Sequence, residues 1–273
     1  MRIGLLAGSG HIPSQVLQGL RAHNHDVFPI MLGRASPVLE KSISIPIDRP
    51  GRLFSYLRRH HIKHVILVGA LERPLIRDLR PDLYGLRILP RIARALRQGD
   101  DALLREVASI LENEGVSCLS VLDMVPELSL EAGHWGVLSA RHLEDIEKGF
   151  QALAVTSSLD MGQGCVVRDG ILLAMEAIEG TDQMLKNISA LPAKRSRRDP
   201  QGSLSGVLVK APKIQQDMRF DIPTIGPQTI KLTAEAGLAG IAVVAKKFLL
   251  ASPENSMQLL RDHKMFLLSK EIF

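Results

Sequence analysis

An α/β fold of two domains is predicted for this 273-residue chain, with a parallel, doubly wound sheet in the amino-terminal domain and a second α/β domain after it. Three observations lead there. A buried-strand pattern runs into Gly8-Ser9-Gly10 and is followed by apolar residues at helical spacing. Further short apolar runs alternate with an amphipathic helix, as in doubly wound parallel sheets. Beyond residue 131 the pattern loosens around two glycines and then resumes.

The elements follow in order. Arg2 to Ala7 reads as the first strand, and Ile12, Val16, Leu17 and Leu20 mark the helix after it. Val27 to Leu32 and Ser42 to Pro46 are strand candidates, and Val65 to Val68 is a third, entering Gly69. Leu53, Tyr56 and Leu57 mark a helix after Gly51, and Leu103, Leu104, Val107, Ile110 and Leu111 another after Gly99. Residues 1–131 therefore form the expected first domain, with a linker at 132–142 that contains Gly133, Trp135 and Gly136. The second domain, 143–273, opens with a helix through Leu143, Ile146 and Phe150. Two β-like runs, Cys165 to Val167 and Ile171 to Met175, surround the turn Arg168-Asp169-Gly170. A helix starts near Thr181 or Asp182. Strands at Val207 to Lys210 and Ile241 to Val244 flank a helix from Gly226 to Ala236, and Glu254 to His263 forms the last helix.

Composition excludes several classes. With 45% hydrophobic and 23% charged residues the chain is neither disordered nor collagenous, and two cysteines make no disulfide scaffold. Cys118 and Cys165 suit a reducing compartment as buried thiols. The apolar run Ile3 to Ala7 is too short for a signal-peptide core. The longest apolar stretch, Leu238 to Ala245, is well below the ~18 residues of a spanning helix, so a cytoplasmic location is expected. A net charge of +5 favours anionic partners. Aromatics are only 4% of the chain and no basic segment interleaves them, so nucleic acid is not an expected partner.

Several groups carry candidate chemistry. Gly8, Ser9 and Gly10 after a strand present backbone amides to a phosphate, the alternative being a plain tight turn. Pro13 stands where a dinucleotide fingerprint wants its third glycine, which counts against NAD. Gly69 should emerge on the same sheet edge, with Arg73 facing a phosphate or solvent. Asp100 and Asp101 either cap their helix or reach a ribose hydroxyl or metal-bound water. The richest stretch runs from Val209 to Pro227. Lys210, Lys213, Arg219, Asp217 and Asp221 sit there in proline-broken chain, as functional loops do. A carboxylate among cations can hold a divalent ion or orient water while the cations offset phosphoryl charge. Asp160, Gln163, Glu179, Thr181 and Asp182 add polar groups beyond capping needs. His60, His61 and His64 lack a metal-binding pattern and read as surface histidines. Lys194 to Arg198 reads as a solvated loop, with anionic lipid headgroups as its alternative partner.

Taken together, Gly99-Asp100-Asp101-Ala102-Leu103-Leu104, Asp160-Met161-Gly162-Gln163, Glu176, Glu179-Gly180-Thr181-Asp182, Lys210 to Lys213 and Gln216 to Gly226 resemble one family in residue and order. It is the UDP-2,3-diacylglucosamine pyrophosphatase family of the LpxI type, and the resemblance spans essentially the whole chain. The string Gln216-Asp217-Met218-Arg219-Phe220-Asp221-Ile222-Pro223-Thr224-Ile225-Gly226 carries most of it. Departures are Ile214 for a usual proline, Met161 for a common valine, and Ala70 where a second glycine is usual. The resemblance implies an α/β chain with a Rossmann-like amino-terminal domain on a parallel sheet and a second α/β domain, the ligand, a lipid nucleotide, lying between them, and magnesium-dependent hydrolysis of a UDP-linked diacylated sugar in lipid A synthesis. The products would be UMP and the acylated sugar 1-phosphate, lipid X. Asp221 matches the family's essential aspartate and is the expected catalytic and metal-binding residue. Lys210, Lys213 and Arg219 are expected at the phosphates, Gly8, Ser9, Gly10 and Gly69 at the UDP portion, and Gln163, Thr181 and Asp182 around the site, with Arg73, Asp100, Asp101 and Thr224 as further substrate contacts. Peripheral attachment to the cytoplasmic face of the membrane follows from such a substrate, and the sequence leaves room for a homo-oligomer. Two rivals remain: an NAD-linked oxidoreductase, suggested by the first domain, and a non-enzymatic nucleotide or lipid carrier.

Overall fold

The computed structural model describes residues 1–33, 36–71, 79–159, 161–196, 203–214 and 216–272. It divides into a first unit, Met1–Val125 with Asp217–Asp221, and a second unit, Pro126–Gln216 with Ile222–Phe273.

The first unit is a parallel sheet of five strands in the order β3-β2-β1-β4-β5. These are β1 (Arg2–Ala7), β2 (Asp26–Leu32), β3 (Ile43–Ile45), β4 (His64–Val68) and β5 (Ser117–Cys118). The order is that of the Rossmann sheet. β1 is the central strand, and its run Ile3, Leu5, Leu6 and Ala7 is fully buried, because a parallel sheet is covered on both faces. Helix α1 (Ile12–Ala22) buries Pro13, Val16, Leu17 and Leu20, one stripe at helical spacing, and α2 (Pro50–Arg59) buries Leu53, Phe54 and Leu57. The connection from β4 to β5 runs through α3 (Leu83–Leu96) and α4 (Asp100–Asn113), followed by the short α5 (Val121–Met124).

Helix α3 has no counterpart in the sequence reading, for a physical reason. Leu83 and Leu86 are exposed, only Gly85 and Ala95 are buried, and Pro90 lies inside the helix. Tyr84, Ile88 and Ile92 recur at helical spacing and pack on the first unit's core, but Pro90, which normally signals a break, falls inside that stripe. Its start is held by Asp82, whose side chain accepts from the Gly85 amide at 2.8 Å.

The second unit carries a mixed sheet of six strands, in the order β6-β13-β11-β9-β7-β8. Their ranges are β6 (Gly133–Trp135), β7 (Gly164–Arg168), β8 (Ile171–Met175), β9 (Val207–Lys210), β11 (Gly240–Val244) and β13 (Phe266–Lys270). A separate parallel pair joins β10 (Thr224–Ile225) to β12 (Leu249–Leu250). Period-two alternation puts Val166, Leu208, Ile241 and Val243 on one face, with Met184, Leu185 and Ile188 of α7 (Gly180–Ala190), Ile230 of α9 (Pro227–Glu235) and Leu260 of α10 (Pro253–Asp262). The other face, with Cys165, Val167, Val207, Val209, Ala242 and Val244, packs against Ile146, Phe150 and Leu153 of α6 (Ala140–Thr156). The remaining helix, α8, is a single turn at Ala193–Ser196.

Two structural devices steady this sheet. The β7–β8 hairpin turns on Asp169 and Gly170, both at positive φ, and the buried Asp145 carboxylate accepts both of their amides at 3.1 and 2.7 Å. Arg168, fully buried, donates to the Ser205, Ala236 and Gly237 carbonyls, thereby satisfying the end of α9.

Three expectations change. The stretch 132–142 is not a bare linker, because it contains β6, paired antiparallel to β13, and the Ser139 cap of α6. A three-residue strand flanked by glycines has too little alternation to be read. Neither Thr181 nor Asp182 caps α7, since the cap position is Glu179 and Gly180 takes φ 77° just inside the helix. Gly99 occupies the cap position of α4, so Asp100 and Asp101 lie within its first turn. Among the described residues no helix is long and apolar enough to cross a membrane.

Candidate active site

In the first unit the candidate site starts at the carboxyl end of the central strand. Gly8 and Gly69 end the neighbouring strands β1 and β4, the position where a Rossmann sheet reverses its strand order and binds ligands. The two loops are bonded together. Ser9 and Ala70 exchange backbone hydrogen bonds of 2.7 and 2.9 Å, and the Gly8 amide donates to Val68 at 2.8 Å. A Cβ at Gly8 would lie 2.4 Å from the Ala70 carbonyl oxygen, and one at Gly69 would lie 2.8 Å from Pro13 Cγ. Glycine at both positions is thus a requirement of close approach. Gly10, at φ 108°, donates to the Ser36 carbonyl at 2.9 Å, and the Ser36 amide returns a bond to Ser9 Oγ at 3.2 Å.

The aspartate pair after Gly99 is more conventional. Asp101 forms an ion pair with Arg105 at 2.6 Å, one turn along α4. Arg73, Asp160 and the side chain of Asp100 lie outside the described residues.

The strip Asp217–Asp221 is the least expected part of this unit, since the residues on either side belong to the second one. Phe220 packs against the apolar cluster that contains Ile110, Leu111 and Cys118. The Met218 carbonyl accepts from Ser120 Oγ at 3.3 Å. Arg219 donates to Asp217 through Nε at 2.9 Å and Nη2 at 2.7 Å, and to Glu112 through Nη1 at 2.7 Å. These bonds hold the Asp217 carboxyl below its usual range despite partial burial, and the two carboxylates raise the proton affinity of Arg219. The Asp221 amide donates to the Asp217 carbonyl at 3.3 Å. Beneath this strip the buried Cys118 thiol is pushed up to about 11, chiefly by burial.

In the second unit Lys210 ends β9 and is only 7% exposed. Its ammonium donates to Thr181 Oγ1 at 2.7 Å and to the Thr224 carbonyl at 3.4 Å. The next residue, Ala211, donates to the Gln163 carbonyl at 2.9 Å, so four of the expected positions, 163, 181, 210 and 224, come together. The Lys213 amide is held by Gln216 Oε1 at 2.7 Å, and Asp182 is exposed on the first turn of α7. Glu176 joins this group. A Cβ at Gly164 would lie 2.6 Å from its Oε2 and 3.7 Å from Lys210 Cγ, and among the described residues this buried oxygen has no hydrogen-bond partner. Below it the Cys165 thiol is pushed up to about 12, first by burial and then by the Glu176 charge.

Sequence reasoning did not assign Glu112, Ser120 or Glu176 to the site. Glu176 at least stood within the family pattern. Glu112 is 107 residues from Arg219 and Ser120 is 98 from Met218, and no local spacing announces such pairings. Cys118 and Cys165 are both free and buried, as expected.

The arrangement defines an α/β protein with a Rossmann-ordered first unit, glycine loops at its switch point, and a cationic polar cluster in the second unit. Family models agree along nearly the whole length: the LpxI N-terminal domain matches residues 2–128 and the LpxI C-terminal domain matches residues 132–268. The chain belongs to the LpxI family. It is 38% identical to the UDP-2,3-diacylglucosamine pyrophosphatase LpxI of Caulobacter vibrioides over 274 residues, covering 98% of this chain and 96% of that one. Among solved structures, the glycinamide-RNase-transformylase T of Mycobacterium tuberculosis matches 65% of this chain and 43% of its own. At 18% identity and a TM-score of 0.24, it carries no argument about function.

Proposed function

We propose that this chain hydrolyses the pyrophosphate bond of UDP-2,3-diacylglucosamine to UMP and 2,3-diacylglucosamine 1-phosphate, lipid X, in lipid A synthesis. The observation that carries this reading is the near-complete likeness to a relative bearing that name.

The residues supply a consistent division of labour. Splitting a pyrophosphate requires mainly positioning of water and cancellation of phosphoryl charge. A water oxygen bonds to one phosphorus while the bridging P–O bond breaks, and the bridging oxygen leaves with the electron pair. Asp221 orients that water or holds the metal. Lys210 and Lys213 offset the charge on the diphosphate, with Thr224 and Thr181 fixing the Lys210 ammonium. Gly8, Ser9, Gly10 and Gly69 border the UDP portion by close approach of their backbone rather than through the Gly8, Ser9 and Gly10 amides, which donate to Val68, Ala70 and Ser36, and Arg73, Asp100 and Asp101 are further contacts. Gln163 and Asp182 complete the polar lining.

Magnesium is the proposed metal. Among the described residues no group of three His, Cys, Asp or Glu side chains gathers into a protein cage. Magnesium rarely uses one, because it keeps waters and binds through one or two carboxylates plus substrate phosphates. The hard oxygen donor at Asp221 fits that mode. Bound there, the ion would neutralise developing phosphoryl charge.

Because the substrate is a lipid, we propose peripheral attachment at the cytoplasmic membrane face. The strand order alone also accommodates an NAD-linked oxidoreductase. Pro13, buried in α1 and set against Gly69, occupies the place where a dinucleotide fold needs glycine.

The test is release of UMP from UDP-2,3-diacylglucosamine with magnesium by the wild type and by Asp221→Ala. Turnover by the wild type alone, with substrate still bound by the variant, is the expected result. Undiminished turnover by Asp221→Ala removes that residue from the mechanism, and binding without turnover by the wild type indicates a carrier.

A further inference from the structure

We infer that Glu112 and Arg219 form a latch that positions Asp221, which makes both of them positioning residues for the reaction; the inference rests on the reading of Asp221 given above. Three consecutive residues of the strip are fastened to the first unit by independent means. Met218 is held at its carbonyl by Ser120, Arg219 at its guanidinium by Glu112, and Phe220 by the apolar cluster. Asp221 follows immediately, with its amide bonded back to the Asp217 carbonyl.

Charge distinguishes a latch from a phosphate site. One guanidinium faces two carboxylates, Asp217 at 2.7 Å and Glu112 at 2.7 Å, so the trio carries no positive surplus for a diphosphate. The positioning role therefore replaces the phosphate contact expected for Arg219. Exposure argues for a local effect. The Arg219 and Glu112 side chains are 37% and 49% exposed, and a pair so open to water adds little to global stability. Directional bonds can still fix where a five-residue strip lies, and a displacement of about 1 Å at a reacting group costs on the order of a hundredfold in rate.

The test combines Glu112→Ala with Asp221→Ala in a double-mutant cycle, alongside Arg219→Lys and tryptic cleavage after Arg219. Glu112→Ala should lower kcat about tenfold with KM within about twofold, because Asp221 is displaced while the binding groups stay. In an Asp221→Ala background the same substitution should leave the residual rate unchanged, since its effect passes through the missing carboxylate. Cleavage after Arg219 and hydrogen exchange at the amides of 218–221 should both accelerate about tenfold in Glu112→Ala. Arg219→Lys, which keeps the charge but loses the fork, should fall between the two. A wild-type kcat for Glu112→Ala, or an undiminished tenfold loss in the Asp221→Ala background, overturns the latch. Wild-type turnover by Asp221→Ala itself instead overturns the functional reading on which the latch depends.

Discussion

Gly8→Ala is the perturbation whose consequence follows most directly from geometry. Gly8 has no need of positive φ, so the only obstacle is space. The new methyl would lie 2.4 Å from the Ala70 carbonyl oxygen and 2.8 Å from the carbonyl carbons of Ala70 and Gly69. All three are backbone atoms, with no rotamer by which to escape. Ordinary contacts need ~3.5 Å, so the loop after β4 must retreat by roughly 1 Å. That retreat stretches both bonds of the Ser9–Ala70 bridge, now 2.7 and 2.9 Å, out of range. At about 1 kcal/mol net for each bond, the loss is roughly 2 kcal/mol before strain is added. The aromatic residues supply separate reporters. Tyr56 and Tyr84, the two tyrosines of the chain, lie in the first unit, and Trp135, the single tryptophan, lies in the second. Urea unfolding followed by tyrosine absorbance should shift to lower denaturant, and KM for the UDP substrate should rise. An unchanged tyrosine midpoint together with an unchanged KM would show that the two loops are not coupled as described.

The remaining predictions concern other sites. Gly149→Ala sets a methyl 2.4 Å from Val209 Cγ2 where α6 crosses β9, and should destabilise the second unit by ~1–3 kcal/mol, seen as a lower tryptophan-reported midpoint. The Asp217 carboxyl is held below its ordinary value of 3.8 by Arg219, so its contribution is fully present above that value and is lost as pH falls through the lower folded one. Asp217→Asn should accordingly flatten the acid limb of the tyrosine-reported transition, and an acid limb identical to wild type would count against the pair. With thiols pushed up to about 11 and about 12, Cys118 and Cys165 should be silent to Ellman's reagent at pH 8 until the protein is unfolded. Prompt native-state labelling would contradict their burial.

What could be read in the sequence was what local periodicity encodes. β1, α1, β8 and β9 follow from apolar spacing bounded by glycine or turn residues, and the structure places them within a residue or two of expectation. The strands β6 and β13 escaped, the first because three residues offer too little alternation and the second because Phe266, Leu267 and Leu268 form a short apolar run near the chain end without a turn signal. The same divide runs through the site. The Gly8 and Gly69 loops were legible because glycine after a strand is a local signal. The Glu112 partner of Arg219 was not, because a salt bridge across 107 residues leaves no trace in spacing.

This divide also bears on why the string from Gln216 to Gly226 is so specific. Most of its residues have an identifiable structural task in one unit or the other. Gln216 holds the Lys213 amide, Asp217 and Arg219 clasp each other, Met218 lends its carbonyl to Ser120, and Phe220 fills an apolar cluster. After Asp221 the chain rejoins the second unit. There the Pro223 carbonyl accepts from Leu249 at 2.8 Å, Thr224–Ile225 pairs with Leu249–Leu250, and a Cβ at Gly226 would meet Ala251 at 2.8 Å. The segment must therefore satisfy two sets of packing partners within eleven residues, and few sequences can. At position 221 the backbone amide donates to the Asp217 carbonyl, which ties the residue to the start of the strip. Asp221 therefore lies on chain constrained from both sides, which suits the positioning proposed for its carboxylate.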